Sequence, residues 1–163
     1  MSPSSSLPEP MSKTRLRLWL RLLKATSGIE SEIRRRLRDN CDTTLPRFDV
    51  LSALSRYPDG LKMSEISSLL KVSNGNVTGI VERLVEDGLA QRHAVPGDKR
   101  ANRVRLTEEG LSVFADLAAK HERWIDELMS GLDQSAIETC NGLFDQFGTT
   151  SDNETLLEKA GTE

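Results

Sequence analysis

The sequence predicts a mainly α fold carrying one small β-hairpin. Apolar residues recur at helical spacings before and after residues 89–106, and only Leu89–Val95 and Asn102–Leu106 are strand-like. The stretch Met63–Leu106 organises the chain: helix, tight turn, second helix, strand, charged turn, strand. The 163 residues fit one domain, or one small domain with long flanking helices. With 37% hydrophobic and 29% charged residues, a modest core is expected; four Phe, two Trp and one Tyr leave aliphatic side chains to fill it.

Residues 1–12, rich in Ser and Pro, are expected to form a disordered arm. From Lys13 to about Asp39 a helix is predicted, with Leu18, Leu22, Ile29, Ile33 and Leu37 at helical spacing. Gly28 weakens its middle by about 1 kcal/mol relative to Ala. Leu16, Trp19, Leu20 and Leu23 lie on further faces, an excess that a dimer interface would explain. A short loop holding Cys41 leads to Thr44-Leu45-Pro46, a helix start with Pro in the first turn. That helix, carrying Phe48, Leu51 and Leu54, ends at Tyr57-Pro58-Asp59-Gly60, and Leu61-Lys62-Met63 suggests a brief strand.

Ser64 reads as the N-cap of the next helix, which buries Ile66, Leu69 and Leu70. Lys71-Val72-Ser73-Asn74 is its turn. Val77, Ile80, Val81, Leu84 and Val85 then stripe a second helix, and Gly88 is its left-handed cap. Pro96-Gly97-Asp98 turns the hairpin, with Lys99-Arg100 at its far side. Thr107-Glu108-Glu109-Gly110 opens a long helix striped by Leu111, Phe114, Leu117, Ala118, His121, Ile125 and Leu128. A last helix is expected over Ser135–Phe147, followed by a polar, acidic tail.

Net charge is −3, which by itself argues against a nucleic-acid binder. The distribution argues otherwise. Residues 13–38 carry nine Lys/Arg against two acids, residues 46–106 ten against seven, and residues 107–163 three against thirteen. One face can therefore meet a polyanion while the opposite end stays soluble. Residues 1–12 lack the basic start and apolar run of a signal peptide, and no apolar run approaches the roughly 20 residues of a membrane span. Cys41 and Cys140 match no metal or disulfide framework, so a cytoplasmic protein with two reduced thiols is expected. His93 and His121 are isolated, and no nucleophile–base pair, phosphate loop or metal spacing is present. No enzyme, catalytic residue, metal or cofactor is expected.

A recognition helix must bury one stripe and present short polar side chains to base edges. The second helix of the pair offers Ser73, Asn74, Gly75, Asn76 and Thr78, with Gly79 beyond. Asn can pair with adenine in bidentate fashion, and Ser or Thr can meet bases or phosphates. Ser64, at the preceding helix start, is added because helix N-termini attract phosphate. The hairpin supplies Arg92, Lys99, Arg100, Arg103 and Arg105, with Asp98 its only acid, a charge pattern suited to a minor groove or the DNA backbone.

Together, Leu45-Pro-Arg-Phe-Asp-Val-Leu, Met63-Ser-Glu-Ile, Val72-Ser73, Val77-Thr78, Glu82-Arg83-Leu84 and Gly88-Leu89 resemble the MarR family of winged-helix regulators. Arg92, Asp98-Lys99-Arg100 and Leu106-Thr107-Glu-Glu-Gly110 complete the pattern. The resemblance covers residues 15–147. It implies a winged helix-turn-helix domain (45–106) flanked by an N-terminal dimerisation helix and loop (13–44) and C-terminal dimerisation helices (107–147), with an acidic tail (148–163). It implies a homodimer on a pseudo-palindromic site of double-stranded DNA. Asp98 would orient Arg100, the groove-inserting residue, and Arg83 would face the backbone. The chain departs from the pattern at Gly79, where many relatives carry a basic residue.

The resemblance further implies repression released by a small molecule, often an aromatic acid, in a pocket between the dimer and DNA-binding parts. Trp19, Leu22, Leu23, Phe48, Leu51, Leu111 and Phe114 are candidate walls. Arg34, Arg35, Arg36 and Arg38 crowd one helix end and would repel one another. They can touch the DNA backbone or, together with Trp19, Leu22 and Phe48, hold a bulky anionic effector. The latter is similar to the branch that answers to hydroxycinnamoyl-CoA thioesters in aromatic catabolism. Two other readings stand beside it: thiol-based redox control through Cys41, and a winged-helix module that binds protein.

Overall fold

The computed structural model of the protein describes residues 10–70, 74–95 and 98–147; for residues 74, 95 and 98–101 only the backbone is described. The chain divides into two compact units, residues 1–125 and 126–163. In the first, α1 (Met11–Cys41), α2 (Leu45–Ser55), β1 (Leu61–Lys62), α3 (Met63–Leu70), α4 (Asn74–Glu86), β2 (Ala90–Val95) and β3 (Asp98–Leu106) lead into α5 (Glu108–Met129). The second holds the end of α5 and α6 (Gln134–Phe144). This is the mainly helical winged helix-turn-helix architecture the sequence predicts.

Helix α2 is the centre of the first unit. Thr44 caps it, its hydroxyl accepting from the Arg47 N–H at 3.4 Å, and Pro46 occupies the first turn, where a missing N–H costs nothing. Phe48, Val50, Leu51, Ala53 and Leu54 are all buried, so the helix is covered on nearly every side, by α1, α3, α4 and β3. Also buried are Ile33 and Leu37 of α1, Ile66 of α3, Val77, Val81 and Leu84 of α4, and Val104 of β3. Fully burying each such aliphatic side chain is worth roughly 1.5–3 kcal/mol. The aliphatic core expected from composition is therefore present.

The sheet has the order β1-β3-β2, antiparallel throughout. Leu61 pairs with Val104 and Lys62 with Arg103, while β2 pairs from Ala90↔Leu106 to Ala94↔Asn102 in regular register. The register then shifts, Val95 pairing with Asp98. Strand β3 thus begins at Asp98, four residues before the expected Asn102, and Lys99 and Arg100 belong to it rather than to the turn. Pro96 and Gly97 lie outside the described residues.

Other boundaries differ slightly. Residues 1–9 of the expected arm lie outside the described residues, as does the tail 148–163, but Met11 and Ser12 already belong to α1. Cys41 is the last residue of α1 rather than a loop residue. Asp42 takes the left-handed conformation at φ 47°, and the Thr43 N–H donates back to the Leu37 carbonyl at 3.2 Å. Ser64 is not a cap. Helix α3 starts one residue earlier, and Glu65 reaches back to accept from the Lys62 N–H at 2.7 Å, the acidic half of a capping box. Helix α6 is capped by Asp133, which accepts from the Ala136 N–H at 2.8 Å, and ends at Phe144 rather than Phe147. No helix among the described residues is long and apolar enough to cross a membrane.

The joint between α4, the sheet and α5 is tight. Gly88, at φ +74°, lets the Leu89 N–H return to the Leu84 carbonyl at 2.9 Å, closing α4 in a Schellman turn. Thr107 caps α5 by accepting from the Gly110 N–H at 3.0 Å, and its hydroxyl donates to the Gly88 carbonyl at 2.7 Å. A Cβ on Gly110 would sit 1.9 Å from the Leu89 carbonyl oxygen. Gly110→Ala should therefore destabilise the protein by about 3 kcal/mol in urea denaturation, because backbone must move to admit one methyl. Gly28→Ala, at a helical site with nothing within 4 Å, should stabilise it by up to about 1 kcal/mol.

Candidate nucleic-acid interface

Helix α4 buries Val77, Val81 and Leu84 and exposes Gly75, Asn76, Gly79, Glu82 and Arg83; Thr78 is half-buried. The apolar stripe thereby fixes which polar residues face outward. Ser73 lies outside the described residues. Asn74 opens α4 with its side chain undescribed, as are the side chains of Asp98, Lys99 and Arg100 in the wing. Ser64 is exposed on α3, and Arg92 is exposed on β2 opposite Val104.

Two wing arginines are engaged within the protein. Arg105 lies across the sheet from Gln91, whose side-chain amide, turned so that its oxygen faces the guanidinium, accepts from it at 2.8 and 3.0 Å. Arg103 donates from Nη1 to the Gly60 carbonyl at 2.7 Å, and its Nη2 lies 3.9 Å from Glu65 Oε1. Arg103, expected among the DNA-facing cations, is turned onto the protein in this structure. Its strand position, opposite Lys62 and beside the loop that ends at Gly60, turns its guanidinium onto the backbone.

Two clefts flank the outer face of α4. The first, of about 440 Å³, is lined by Arg34, Arg38, Thr44, Leu45, Pro46, Asn76 and Ile80. The second, of about 710 Å³, shares Thr44, Asn76 and Ile80 with it and adds Cys41, Arg47, Gly79 and Arg83 among others. Arg47 Nη2 donates to Asp87 Oδ2 at 2.6 Å, tying the start of α2 to the end of α4. Sequence spacing gave no sign of this pair, which is 40 residues apart.

The geometry of helix pair and wing is now matched by descent. The family model described as MarR family matches residues 42–101. A MarR family transcriptional regulator from Silicibacter pomeroyi is 31% identical and superposes with a TM-score of 0.70, over 88% of this chain and 100% of that one. The chain belongs to the MarR family. The transcriptional regulator MhqR of Bacillus subtilis is 25% identical over 85% of this chain and 94% of its own length. Sco3205 of Streptomyces coelicolor, solved in complex with DNA, has the same fold: TM-score 0.73, 19% identity, 92% of this chain and 96% of that one. This MarR-family chain is thus a DNA-binding transcriptional regulator.

The expected effector residues of this MarR-family chain divide. Arg34 and Arg38 do meet at one cleft, but Trp19, Leu22, Arg36 and Phe48 do not line it. Trp19 is 56% exposed on the first half of α1, and Leu111 is exposed on α5. Phe48 is core: its ring stacks on His121 with centroids 4.7 Å apart and meets Phe114 at 5.7 Å.

The arginine cluster is also not self-repelling. Arg34 pairs with Glu30, Arg35 with Glu32 and Asp39, and Arg36 with Glu32 at 2.8 Å. Hydrogen bonds from Arg35 and Arg36 hold the Glu32 carboxyl at about 2, and Glu32 in turn pushes the Arg35 guanidinium up. Carboxylates three or four residues away on the same helix offset the repulsion expected from the cations alone.

Burial lowers the His121 pKa, so the folded chain favours neutral imidazole. The unfolded chain then takes up the proton first. The stability carried by His121 is present above the unfolded value of about 6.5 and is lost as pH falls through the folded value. His121→Phe, which retains a ring against Phe48, should lose less stability than the wild type between neutral and mildly acidic pH. Urea titrations across that range measure the difference.

Proposed function

We propose that the chain acts in the cytoplasm as a homodimeric repressor whose two α4 helices read successive major grooves while the wings reach the flanking minor grooves. The observation that carries this is the division of α4 into a buried stripe and an exposed face of Gly75, Asn76, Gly79 and Arg83. The first half of α1 supports the dimer: Met11, Leu16, Leu18, Trp19, Leu20 and Leu23 are all exposed, an apolar area suited to a second copy. Two α4 helices spaced by such an interface must sit roughly 34 Å apart to dock on one side of the duplex. The reading keeps residues 13–44 and 107–147 as the dimer parts and 45–106 as the DNA-binding part.

Base reading falls to Asn74, Asn76 and Thr78, backbone contact to Ser64, Ser73 and Arg83, and wing contact to Arg92, Asp98, Lys99 and Arg100. The effector is a small aromatic carboxylate held at the cleft between α1 and α4, where Arg38 and Arg34 supply cations and Leu45, Pro46 and Ile80 supply apolar wall. Occupancy there pushes on Asn76 and Ile80 of the reading helix, which gives the ligand a route to releasing DNA. An aryl-CoA thioester would use the same cleft with its phosphates outside. The ion pairs of Arg34, Arg35 and Arg36 leave Arg38 as the better phosphate partner.

The test is fluorescence anisotropy on a duplex the protein itself selects from a random pool. Binding should fall steeply with salt, and Arg83→Ala should weaken it and reduce the salt slope by about one. Asn76→Ala should relax discrimination at one base pair by about 1–3 kcal/mol. Cinnamate or its CoA thioester should release the duplex from the wild type but not from Arg38→Ala. Release from both would remove the cleft as the effector site.

A further inference from the structure

We propose that Arg103 is a positioning residue: it locks the base of the wing to the start of α3 and so sets the wing's angle on DNA without touching DNA itself. Gly60, at φ +80°, brings its backbone hard against β3; a Cβ there would lie 2.7 Å from the Val104 carbonyl oxygen and 3.0 Å from His93 Cε1. Into this contact Arg103 donates its 2.7 Å hydrogen bond to the Gly60 carbonyl. The residue paired with Arg103 on β1 is Lys62, whose N–H is held by Glu65 Oε2 at 2.7 Å. The other oxygen of the same carboxylate faces the Arg103 guanidinium at 3.9 Å. One carboxylate thus serves both the cap of α3 and the wing.

On the other strand, His93 stands directly opposite Arg103, its Nδ1 buried and without a hydrogen-bond partner among the described residues. An imidazole in this place wedges the hairpin against Gly60, and its Nδ1 contributes no polar tie. The directional tie is left to Arg103. Nη1 donates to Gly60 and Nη2 faces Glu65 at ion-pair distance, so this edge of the guanidinium is oriented toward the protein. The wing is also joined to the helical part through the two residue pairs of β1, the buried Ala90, Val104 and Leu106, and the Thr107 bonds to Gly88 and Leu89. Loss of the Arg103 bond removes the side-chain tie at the β1 edge and lets the hairpin tilt about the contacts that remain.

This rests on the wing's contacting DNA as proposed above; wild-type binding tests that reading, and the order of the variants tests this one. Anisotropy is measured for full-length dimer on the selected duplex across a KCl series. Arg103→Met should weaken binding about tenfold at fixed salt while leaving the salt slope unchanged, because no phosphate contact is lost. Arg103→Lys should recover most of the affinity, since an ammonium can still donate to the Gly60 carbonyl. Glu65→Gln retains an oxygen for the Lys62 N–H and should fold whether or not Arg103→Met does. It removes a negative charge beside a polyanion, which electrostatics alone would turn into tighter binding; the positioning role requires binding weaker by about threefold. Tighter binding by Glu65→Gln, unchanged affinity of Arg103→Met, or a slope reduced by about one in that variant would each overturn the proposal.

Discussion

The Leu89 carbonyl is the point on which the DNA-reading half of the molecule depends. It accepts from the Thr107 N–H at 3.0 Å, and the bare Cα of Gly110 packs against it. One residue earlier, the Gly88 carbonyl takes the Thr107 hydroxyl. The end of the reading helix, the first residue of the wing and the first turn of α5 therefore share one hydrogen-bonded corner. A shift in α5 reaches α4 through backbone, which yields far less than side chains do. This gives α5 a stiff lever on α4, in which Thr107 and Gly110 each close part of the corner.

Charge is arranged on a similar economy. The chain is acidic overall, yet the residues from α1 to the wing carry the cations. Many of those cations are already spoken for: Glu30, Glu32 and Asp39 hold three arginines of α1, Asp87 holds Arg47, and Gly60 and Glu65 hold Arg103. Pairing of this kind contributes little stability at a solvated helix surface. It does reduce the net positive charge that those residues offer to a polyanion. The field that draws DNA in is thereby narrower than the count of Lys and Arg suggests.

Much of this was legible in the residues. Thr44-Leu45-Pro46, the stripe of α4, Gly88 and Thr107 each encode a local event, and each gave its helix end or buried face within a residue or two. Local chemistry misled where two solutions compete for one task. Ser64 is a good cap by type, but Glu65 reaching back to Lys62 moves the helix start by one residue. What no periodicity carries is the pairing of distant side chains. Arg103 on Gly60, Arg47 on Asp87 and Phe48 on His121 join positions at least 40 residues apart, and all three decide whether a residue is available to a ligand. The DNA face was therefore readable as a face, whereas the effector cleft, which depends on tertiary approach of α1 to α4, was only half found.

The register of the wing has a further consequence. From Ala90 to Ala94 the pairing with β3 is regular, and the slip between Asn102 and Asp98 is confined to the tip. Because a strand alternates its faces with a period of two, a slip at the base would turn Val104 and Leu106 out of the core. Placed at the tip, it leaves the pairing that buries Val104 and Leu106 intact. Residues can thus be gained or lost at the end of the hairpin without disturbing the fold beneath. The length of the wing is free to diverge among descendants of this chain while α4 and its corner stay as they are.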